Sequence, residues 1–133
     1  MTTFTLPIRV YYEDTDAGGV VYYANYLKFM ERARTEYLRT YGFEQDELAE
    51  KQKVLFVVHR VEADYVKSAR FNELLTVTAE IVQQKRTSLL FEQQVLRNNE
   101  LCCKGVVRVV CVNSETFRPA AIPESILSVI NEQ

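Results

Sequence analysis

Alternating apolar and polar positions near the start of the chain predict a first β-strand. Over Leu6–Tyr12, Ile8 and Val10 alternate with Arg9 and Tyr11. This period of two is typical of a strand with one buried face. Residues 13–19 are acidic and contain two glycines, a composition typical of a loop.

Three- and four-residue spacings then replace the alternation and predict a long amphipathic helix. Asn25 is a suitable N-cap, and the helix is expected to reach about Tyr41. Gly42 follows directly, where glycine accepts the left-handed backbone that often ends a helix. The apolar positions that should form one buried stripe are Tyr26, Phe29, Met30, Ala33, Tyr37 and Leu38.

The second half of the chain predicts four more strands. Asn98-Asn99 suits a tight hairpin turn, because asparagine tolerates positive φ, and Lys85-Arg86 marks another short connection. The polar stretch 44–53 predicts a short helix or turn, and Pro123 can begin a C-terminal helix through Ile130. The predicted strands are 55–67, 74–84, 87–97 and 101–114.

The order of one strand, one long helix and four antiparallel strands indicates an α+β fold. A five-stranded sheet curled around the helix, the hotdog architecture, buries the apolar stripe economically, although the pattern also permits other α+β folds. The run Val106–Val112 is apolar on both faces apart from Arg108, which predicts a strand covered on both sides. No repeat or Pro/Gly-rich linker interrupts the sequence, so residues 1–133 are expected to form one domain.

Composition narrows the functional classes. A net charge of −2 over 133 residues argues against a nucleic-acid-binding protein, which needs a basic face. The N-terminus lacks a basic segment followed by an apolar stretch, and no apolar run approaches a membrane span. The chain is therefore expected to be cytoplasmic.

The cysteines give little support to a disulfide framework or a metal site. Cys102, Cys103 and Cys111 are odd in number and two are adjacent, which favours a reducing compartment. With His59 as the only histidine, zinc has few possible ligands. Cysteine–histidine nucleophilic catalysis is formally possible, but cysteines in or beside an apolar run are usually small buried hydrophobic residues.

The stretch from Asp14 to Tyr26 combines two aspartates, two glycines and a predicted helix start. Glycines let backbone N–H groups approach a ligand, and the first turn of a helix leaves N–H donors unpaired. Such donors polarise a carbonyl group and stabilise the oxyanion that forms when the carbonyl carbon is attacked. A nearby carboxylate can attack that carbon itself or activate a water to do so. The residues indicate acyl transfer or hydrolysis; a plain turn with locally bonded aspartates is the other interpretation.

The same stretch resembles the 4-hydroxybenzoyl-CoA thioesterase family, and within it the bacterial branch associated with the Tol-Pal system. The resemblance continues on the helix through residues 31–36 and reappears at 56–58, 87–89 and 110–112. The residues that carry the N-terminal motif are Arg9, Val10, Thr15, Asp16, Gly19, Val20, Val21, Tyr23, Asn25 and Tyr26.

This resemblance implies a hotdog-fold acyl-CoA thioesterase that forms dimers whose sheets join, and often tetramers, with active sites at the subunit interface. Asp16 matches the catalytic aspartate, acting as nucleophile or general base, and the backbone N–H of Tyr23 matches the group that polarises the thioester carbonyl. Gly19 belongs to the same catalytic loop, and Tyr26 would contact substrate. No cofactor is implied beyond coenzyme A within the substrate, and acyl carrier protein is a possible partner.

One position departs from the Tol-Pal branch. Many of its members carry histidine where this chain has Tyr23, and tyrosine there resembles the hydroxybenzoyl-CoA enzymes instead. A tyrosine acts as a hydrogen-bond donor or an aromatic wall. The resemblance to the Tol-Pal branch therefore does not determine the substrate preference, or any part of the rate that depends on histidine. The backbone N–H at position 23 is the same with either side chain.

Other polar residues are secondary candidates, each with a structural alternative. Asp14 could share the site or cap the turn. On the helix, Glu31 and Glu36 could be catalytic, or could lie on a solvated face or pair with Arg32 or Arg34. His59 could be catalytic or structural. The cationic and hydroxyl cluster could lie near the coenzyme A phosphates, as the resemblance implies, or could be an ordinary charged hairpin. It comprises Lys85, Arg86, Thr87 and Ser88, with weaker support for Arg60, Lys67 and Arg70.

Two functions of different classes follow from these residues. The first is hydrolysis of the thioester of acyl-CoA or acyl-phosphopantetheine, and the second is a binding module that holds acyl-pantetheine or docks an acyl carrier protein without turnover. An intact Asp16 favours the enzyme, since a binding module has no need of that carboxylate.

Overall fold

The predicted α+β arrangement is confirmed by the computed structural model, which describes residues 3–131. The sheet is antiparallel, with the strand order β1-β3-β4-β5-β2. Its strands are β1 (Phe4–Arg9), β2 (Val54–Tyr65), β3 (Leu74–Gln84), β4 (Ser88–Arg97) and β5 (Glu100–Asn113). The helices are α1 (Tyr23–Thr40), the single turn α2 (Gln45–Glu47) that continues as a π-helical turn (Leu48–Gln52), and α3 (Glu124–Asn131).

The apolar stripe of α1 is buried against one face of the sheet, as its spacing predicted. All six stripe residues are buried, and Phe29, Met30 and Ala33 are completely so. Gly105 of β5 lies under Met30, since a Cβ added to this glycine would come within 2.7 Å of the Met30 sulfur. The helix therefore approaches the sheet closely at this point.

One polar side chain is buried between helix and sheet. Gln93 of β4 is completely buried, and its amide nitrogen donates to the Met30 carbonyl at 3.0 Å and to the Thr78 carbonyl at 3.1 Å. Its amide oxygen accepts a hydrogen bond from Arg34 at 2.9 Å. All of its polar groups are thus satisfied, as burial requires.

Two predicted boundaries at the start of the chain are wrong. β1 ends at Arg9, and Tyr12–Asp14 form a 3₁₀ turn instead of the end of a strand. α1 begins at Tyr23 with Tyr22 as N-cap. Asn25, the predicted N-cap, lies inside the first turn, where its side chain donates to the Asp14 carbonyl at 2.8 Å. The Asn25 side chain thus makes a tertiary hydrogen bond instead of capping the helix, the role that the sequence pattern had predicted.

The later elements follow the predictions within one or two residues. Asn98 and Asn99 both have positive φ (49° and 66°) between β4 and β5, and Gly42 has a φ of 87° after α1. Arg86 and its neighbours join β3 to β4. In the run Val106–Val112, Val107, Val109 and Cys111 are buried, whereas Val106, Arg108 and Val110 are half-buried on the outer face of the sheet within one chain. Met1 and Thr2, where a leader segment would begin, lie outside the described residues.

Candidate active site

Asp16 begins a tight turn that glycine makes possible. The Asp16 carbonyl accepts a hydrogen bond from the Gly19 N–H at 3.0 Å, and the Asp16 N–H donates to the Val20 carbonyl at 2.9 Å. Gly19 has a φ of +79° with open space where a Cβ would be, so backbone conformation rather than crowding requires glycine. The Asp16 carboxylate is exposed, and its Oδ1 accepts the Gly18 N–H at 2.9 Å. Further acceptor capacity remains free for a ligand or water.

The start of α1 lies beside this turn. The Tyr22 N–H donates to the Asp14 carbonyl at 2.9 Å and the Asn25 N–H donates to the Tyr22 carbonyl at 2.8 Å. Tyr23 is the first residue of the helix, and its N–H has no acceptor among the described residues. It is one of the unpaired donors that a helix N-terminus presents, at the positive end of the helix dipole.

Asp16 and Tyr23 line the same cleft, which has a volume of about 270 Å³. Tyr65 closes one side, with its ring 5.9 Å from that of Tyr23 and 5.7 Å from that of Tyr26 between centroids. The full lining comprises Asp16, Val20, Val21, Tyr23, Tyr26, Tyr65, Val66, Lys67 and Ser68. A carboxylate, an unpaired N–H donor and aromatic walls therefore meet in one concave site.

Tyr26 serves as a wall and as a brace of the cleft. Its side chain is 3% exposed, and its hydroxyl accepts a hydrogen bond from the Ala69 N–H at 3.0 Å. Burial raises the pKa of Tyr26, so the hydroxyl is neutral at physiological pH. The helix is thereby joined to the segment that follows β2.

Asp14 caps the 3₁₀ turn and does not reach the cleft lining. Its side chain is buried, and Oδ2 accepts the Tyr11 N–H at 2.8 Å. Its carbonyl receives the Tyr22 N–H and the Asn25 amide. Asp14 thus fixes the geometry between the turn and α1.

The predicted phosphate cluster lies at the other end of the sheet in the same chain. β3 begins at Leu74 beside the Asp16 turn and ends at Gln84, and eleven residues at about 3.3 Å each span about 35 Å. Lys85 and Arg86 are exposed, while Ser88 is buried. A single chain therefore does not bring this hairpin to Asp16; a site that uses both needs two chains.

Of the weaker candidates, Lys67 lines the cleft and Arg70 lies next to it, while the others lie apart from it. His59 is exposed on β2, at a bulge in its pairing with β5. Glu31 accepts the Thr35 hydroxyl. Glu36 pairs with Arg39 one turn later, and no ion pair joins it to Arg32 or Arg34 among the described residues. Arg60 pairs with Glu62 on the outer face of the sheet, and Arg70 lies next to the cleft through its backbone bridge to Val20.

The three cysteines are free and buried, as the sequence predicted. Burial raises the pKa of Cys103 and Cys111 to about 11 and also raises that of Cys102. Such thiols are poor nucleophiles at neutral pH. Across residues 3–131, no group of His, Cys, Asp and Glu is arranged to hold a metal ion. None of the helices in that part of the chain combines the length and apolar character needed to cross a bilayer.

Sequence reasoning missed Tyr65, Val66 and Ser68 of the cleft lining. Tyr65 ends β2 and Ser68 lies in the following loop, more than forty residues after Asp16 in the sequence. Neither residue belongs to a recognisable motif. Tertiary contacts bring them to Asp16: the pairing of β2 with β5, the backbone bridge between Val20 and Arg70, and the hydrogen bonds of Ala69.

Comparison with known proteins agrees with this architecture. The acyl-CoA thioesterase YbgC of Haemophilus influenzae is 49% identical over 123 residues, covering 92% of this chain and 90% of that protein. The acyl-CoA thioester hydrolase YbgC of Escherichia coli O157:H7 is 45% identical over 128 residues, covering 96% of this chain and 95% of that protein. The crystal structure of a probable thioesterase from Bartonella henselae superposes with a TM-score of 0.87 at 34% identity, covering 92% of this chain and all of that chain.

The family profile described as the thioesterase-like superfamily matches residues 10–130. This range contains α1, the Asp16 turn and all strands except β1. With the strand order, the buried central helix and these relatives, the predicted hotdog fold is confirmed, and the chain belongs to the thioesterase-like superfamily.

Proposed function

We propose that this protein is an acyl-CoA thioesterase that hydrolyses the thioester of acyl-CoA, or of acyl-phosphopantetheine, to a free acid and a thiol. The observation that carries the proposal is the shared cleft of Asp16 and the Tyr23 N–H. Relatives that align over nearly the whole chain bear the names acyl-CoA thioesterase and acyl-CoA thioester hydrolase. Coenzyme A enters as part of the substrate, and the mechanism uses no separate cofactor.

In the proposed mechanism, the Tyr23 N–H donates a hydrogen bond to the thioester carbonyl oxygen and stabilises the negative charge that develops there. The Asp16 carboxylate either attacks the carbonyl carbon or removes a proton from an attacking water. In the first route the C–S bond breaks, the thiolate takes a proton from solvent, and water hydrolyses the acyl–aspartate anhydride. In the second route water adds directly and the same bond breaks. Both routes consume one water.

The test is thiol release from short-chain, long-chain and hydroxybenzoyl-CoA esters, comparing wild type with Asp16→Asn. Loss of the carboxylate should lower kcat at least about a hundredfold, the scale of a lost general base. Asp46→Asn is the matched control, because Asp46 is also exposed and also accepts a local backbone N–H. This control should retain wild-type kcat. Acyl-CoA binding without thiol release from any ester would instead support the binding module.

An oligomer accounts for two features that one chain leaves incomplete. β2 is an edge strand, and its side chains Val58, Val61 and Tyr65 are 50%, 38% and 46% exposed. A long apolar edge of this kind is a template for pairing with another chain. Pairing β2 with β2 of a second copy would join two sheets and supply the cleft of one copy with groups from the other, including the hairpin of Lys85 and Arg86.

The resemblance to the Tol-Pal-associated branch extends the proposal to cellular context. Assembly of dimers into a homotetramer and a role alongside the Tol-Pal system are predicted from that resemblance, and a cytoplasmic location is predicted from the sequence itself. Acyl carrier protein is a proposed alternative donor of the acyl group, since its phosphopantetheine arm presents the same thioester as coenzyme A. Comparing thiol release from acyl-CoA with release from the same acyl group on carrier protein distinguishes the two donors.

A further inference from the structure

The segment Val66–Glu73, which joins β2 to β3, forms the wall of the cleft that faces the Asp16 turn. Val66, Lys67 and Ser68 line the cleft directly. All three are exposed, so packing of their side chains cannot hold them in place. Their position depends on the hydrogen bonds made by the segment.

The backbone of this segment is bonded to three neighbouring elements. The N–H groups of Val66 and Lys67 both donate to the Cys102 carbonyl of β5, at 2.8 and 3.1 Å. The Ala69 N–H donates to the Tyr26 hydroxyl of α1, and the Ala69 carbonyl accepts the Val21 N–H at 2.8 Å. Both walls of the cleft are thus linked through the Ala69 peptide.

Arg97, at the end of β4, donates hydrogen bonds to the same segment and is not part of the cleft lining. Its Nη1 donates to the Ser68 carbonyl at 2.9 Å and to Glu73 Oε1 at 3.0 Å. Glu73 Oε1 also accepts the Arg70 N–H at 2.6 Å. One guanidinium group therefore binds both the third residue of this segment, Ser68, and its last, Glu73, in a planar arrangement that a lysine cannot reproduce.

The same guanidinium group also reaches Lys67. Arg97 Nη2 donates to Glu100 Oε1, and the other carboxylate oxygen of Glu100 accepts Lys67 Nζ at 2.7 Å. Hydrogen bonds from Lys67 and Arg97 lower the pKa of Glu100 to about 2, so this carboxylate is ionised throughout the physiological range. Arg97 is thereby linked to Ser68 directly and to the Lys67 ammonium group through Glu100.

We infer that Arg97 is a positioning residue for thioester hydrolysis: it does not line the cleft, but it fixes the Lys67–Ser68 wall opposite Asp16. This role rests on the proposed function. A displacement of about 1 Å at reacting groups can cost about a hundredfold in rate, so loosening this wall lowers kcat more than it weakens substrate binding. A network that only stabilised the fold would change the melting temperature and leave kcat of the folded protein unchanged.

Arg39 provides a matched control within the chain. It also binds two carboxylates, donating from Nε to Glu44 at 3.0 Å and from Nη1 to Glu36. It lies near the C-terminal end of α1, sixteen residues or about 24 Å along the helix from Tyr23. Replacing Arg39 removes a similar network at a distance from the cleft.

The experiment measures kcat and KM of Arg97→Ala, Arg97→Lys and Arg39→Ala below their melting temperatures, on the ester that the wild type hydrolyses fastest. We expect kcat to fall about ten- to a hundredfold in Arg97→Ala, to fall less in Arg97→Lys, and to remain within twofold of wild type in Arg39→Ala. If Arg97→Ala does not fold, Arg97→Lys is compared with Arg39→Lys. A kcat within twofold of wild type in the folded Arg97 variants would overturn the inference.

Amide hydrogen exchange separates this inference from the proposed function. The amides of Val66, Lys67 and Ala69 should exchange faster in Arg97→Ala than in wild type, and at the wild-type rate in Arg39→Ala. If the wild type releases no thiol from any ester, the proposed function fails, and faster exchange would show only that Arg97 fixes the wall. Unchanged exchange in the Arg97 variants would overturn the positioning role whatever the activity.

Discussion

At the scale of single residues, the three cysteine side chains behave as small apolar groups. Cys102, Cys103 and Cys111 are completely buried. Burial raises the pKa of Cys103 and Cys111 to about 11, because the interior disfavours the thiolate. A raised pKa in the folded state means that these thiols favour folding below their unfolded pKa. This contribution is lost as the pH rises from about 9 to about 11.

We therefore expect the native protein to react slowly with a thiol-specific reagent at pH 8, where about one thiol in a thousand at Cys103 or Cys111 is ionised. The same reagent should modify all three cysteines of the chain rapidly in guanidinium chloride. The measurement is absorbance after mixing with an aromatic disulfide. Rapid modification of any of the three thiols in the native state would contradict this.

Asp14 and Asp16 show how far residue-level prediction reached. The motif singled out both side chains, and local chemistry allowed each to cap a turn. The structure separates them, with Asp14 buried under the Tyr11 N–H and Asp16 exposed in the cleft. Which of two side chains only two positions apart becomes buried depends on contacts from α1, which no local pattern encodes.

At the scale of elements, the contact between α1 and the segment after β2 depends on one hydroxyl. Ala69 is completely buried, and its N–H has the Tyr26 hydroxyl as acceptor. Removing an acceptor from a buried donor leaves the desolvation cost uncompensated.

Tyr26→Phe should lower the free energy of unfolding by about 1–3 kcal/mol, the cost of an unsatisfied buried donor. Tyr41→Phe is the control, because the Tyr41 hydroxyl makes no hydrogen bond within the described residues. Like the ring of Tyr26, the Tyr41 ring packs on another aromatic ring, in this case that of Tyr37. Urea unfolding followed by circular dichroism gives both values. Equal stability of the two variants would show that the Tyr26 hydroxyl contributes nothing net.

Elements with strong periodicity were predicted well from the sequence, and their ends less so. The α1 stripe, the Asn98-Asn99 hairpin and β3 appear as expected. The N-cap of α1 was placed three residues late, at Asn25 instead of Tyr22, because Asn25 has capping chemistry but uses its side chain for the Asp14 carbonyl. Helix ends are decided by such competing hydrogen bonds, whereas the middle of a helix is decided by many residues together.

At the scale of the whole molecule, the exposed edge of β2 predicts that the protein is not a monomer. Val61 is 38% exposed on this edge strand. Val82 is equally exposed, at a bulge of β3 and away from the β2 edge. The two valines therefore differ in location and not in exposure.

Val61→Asp should raise the dissociation constant of the dimer at least about tenfold, since burying a carboxylate in an apolar contact costs more than 1.4 kcal/mol. Val82→Asp should leave the dissociation constant unchanged. Sedimentation velocity over a range of concentrations measures both. A wild-type protein that sediments as a monomer at every concentration would refute assembly through β2.

The whole site could not be predicted from the sequence, because its parts are far apart in the chain. The Asp16 loop was identified by its residues. Tyr65 and Ser68 lie beside it because of strand pairing and tertiary hydrogen bonds, which the sequence does not reveal. Conversely, the hairpin of Lys85 and Arg86 was expected beside the substrate and lies at the opposite end of β3 in the same chain. The chemistry of the residues thus indicated the reacting group, Asp16, whereas the fold topology determines which residues line the cleft around it.

The strand order has a consequence for synthesis of the chain on the ribosome. α1 ends at Thr40, but β5, which carries the Gly105 recess for Met30, ends at Asn113. At 5–20 residues per second, the partner surface is completed roughly 4–15 seconds after the helix. During that interval the nascent chain carries Phe29 and Met30 without the complete sheet that covers them in the finished fold. The apolar stripe that secures the finished fold is therefore, while the chain grows, its main site for chaperone binding or aggregation.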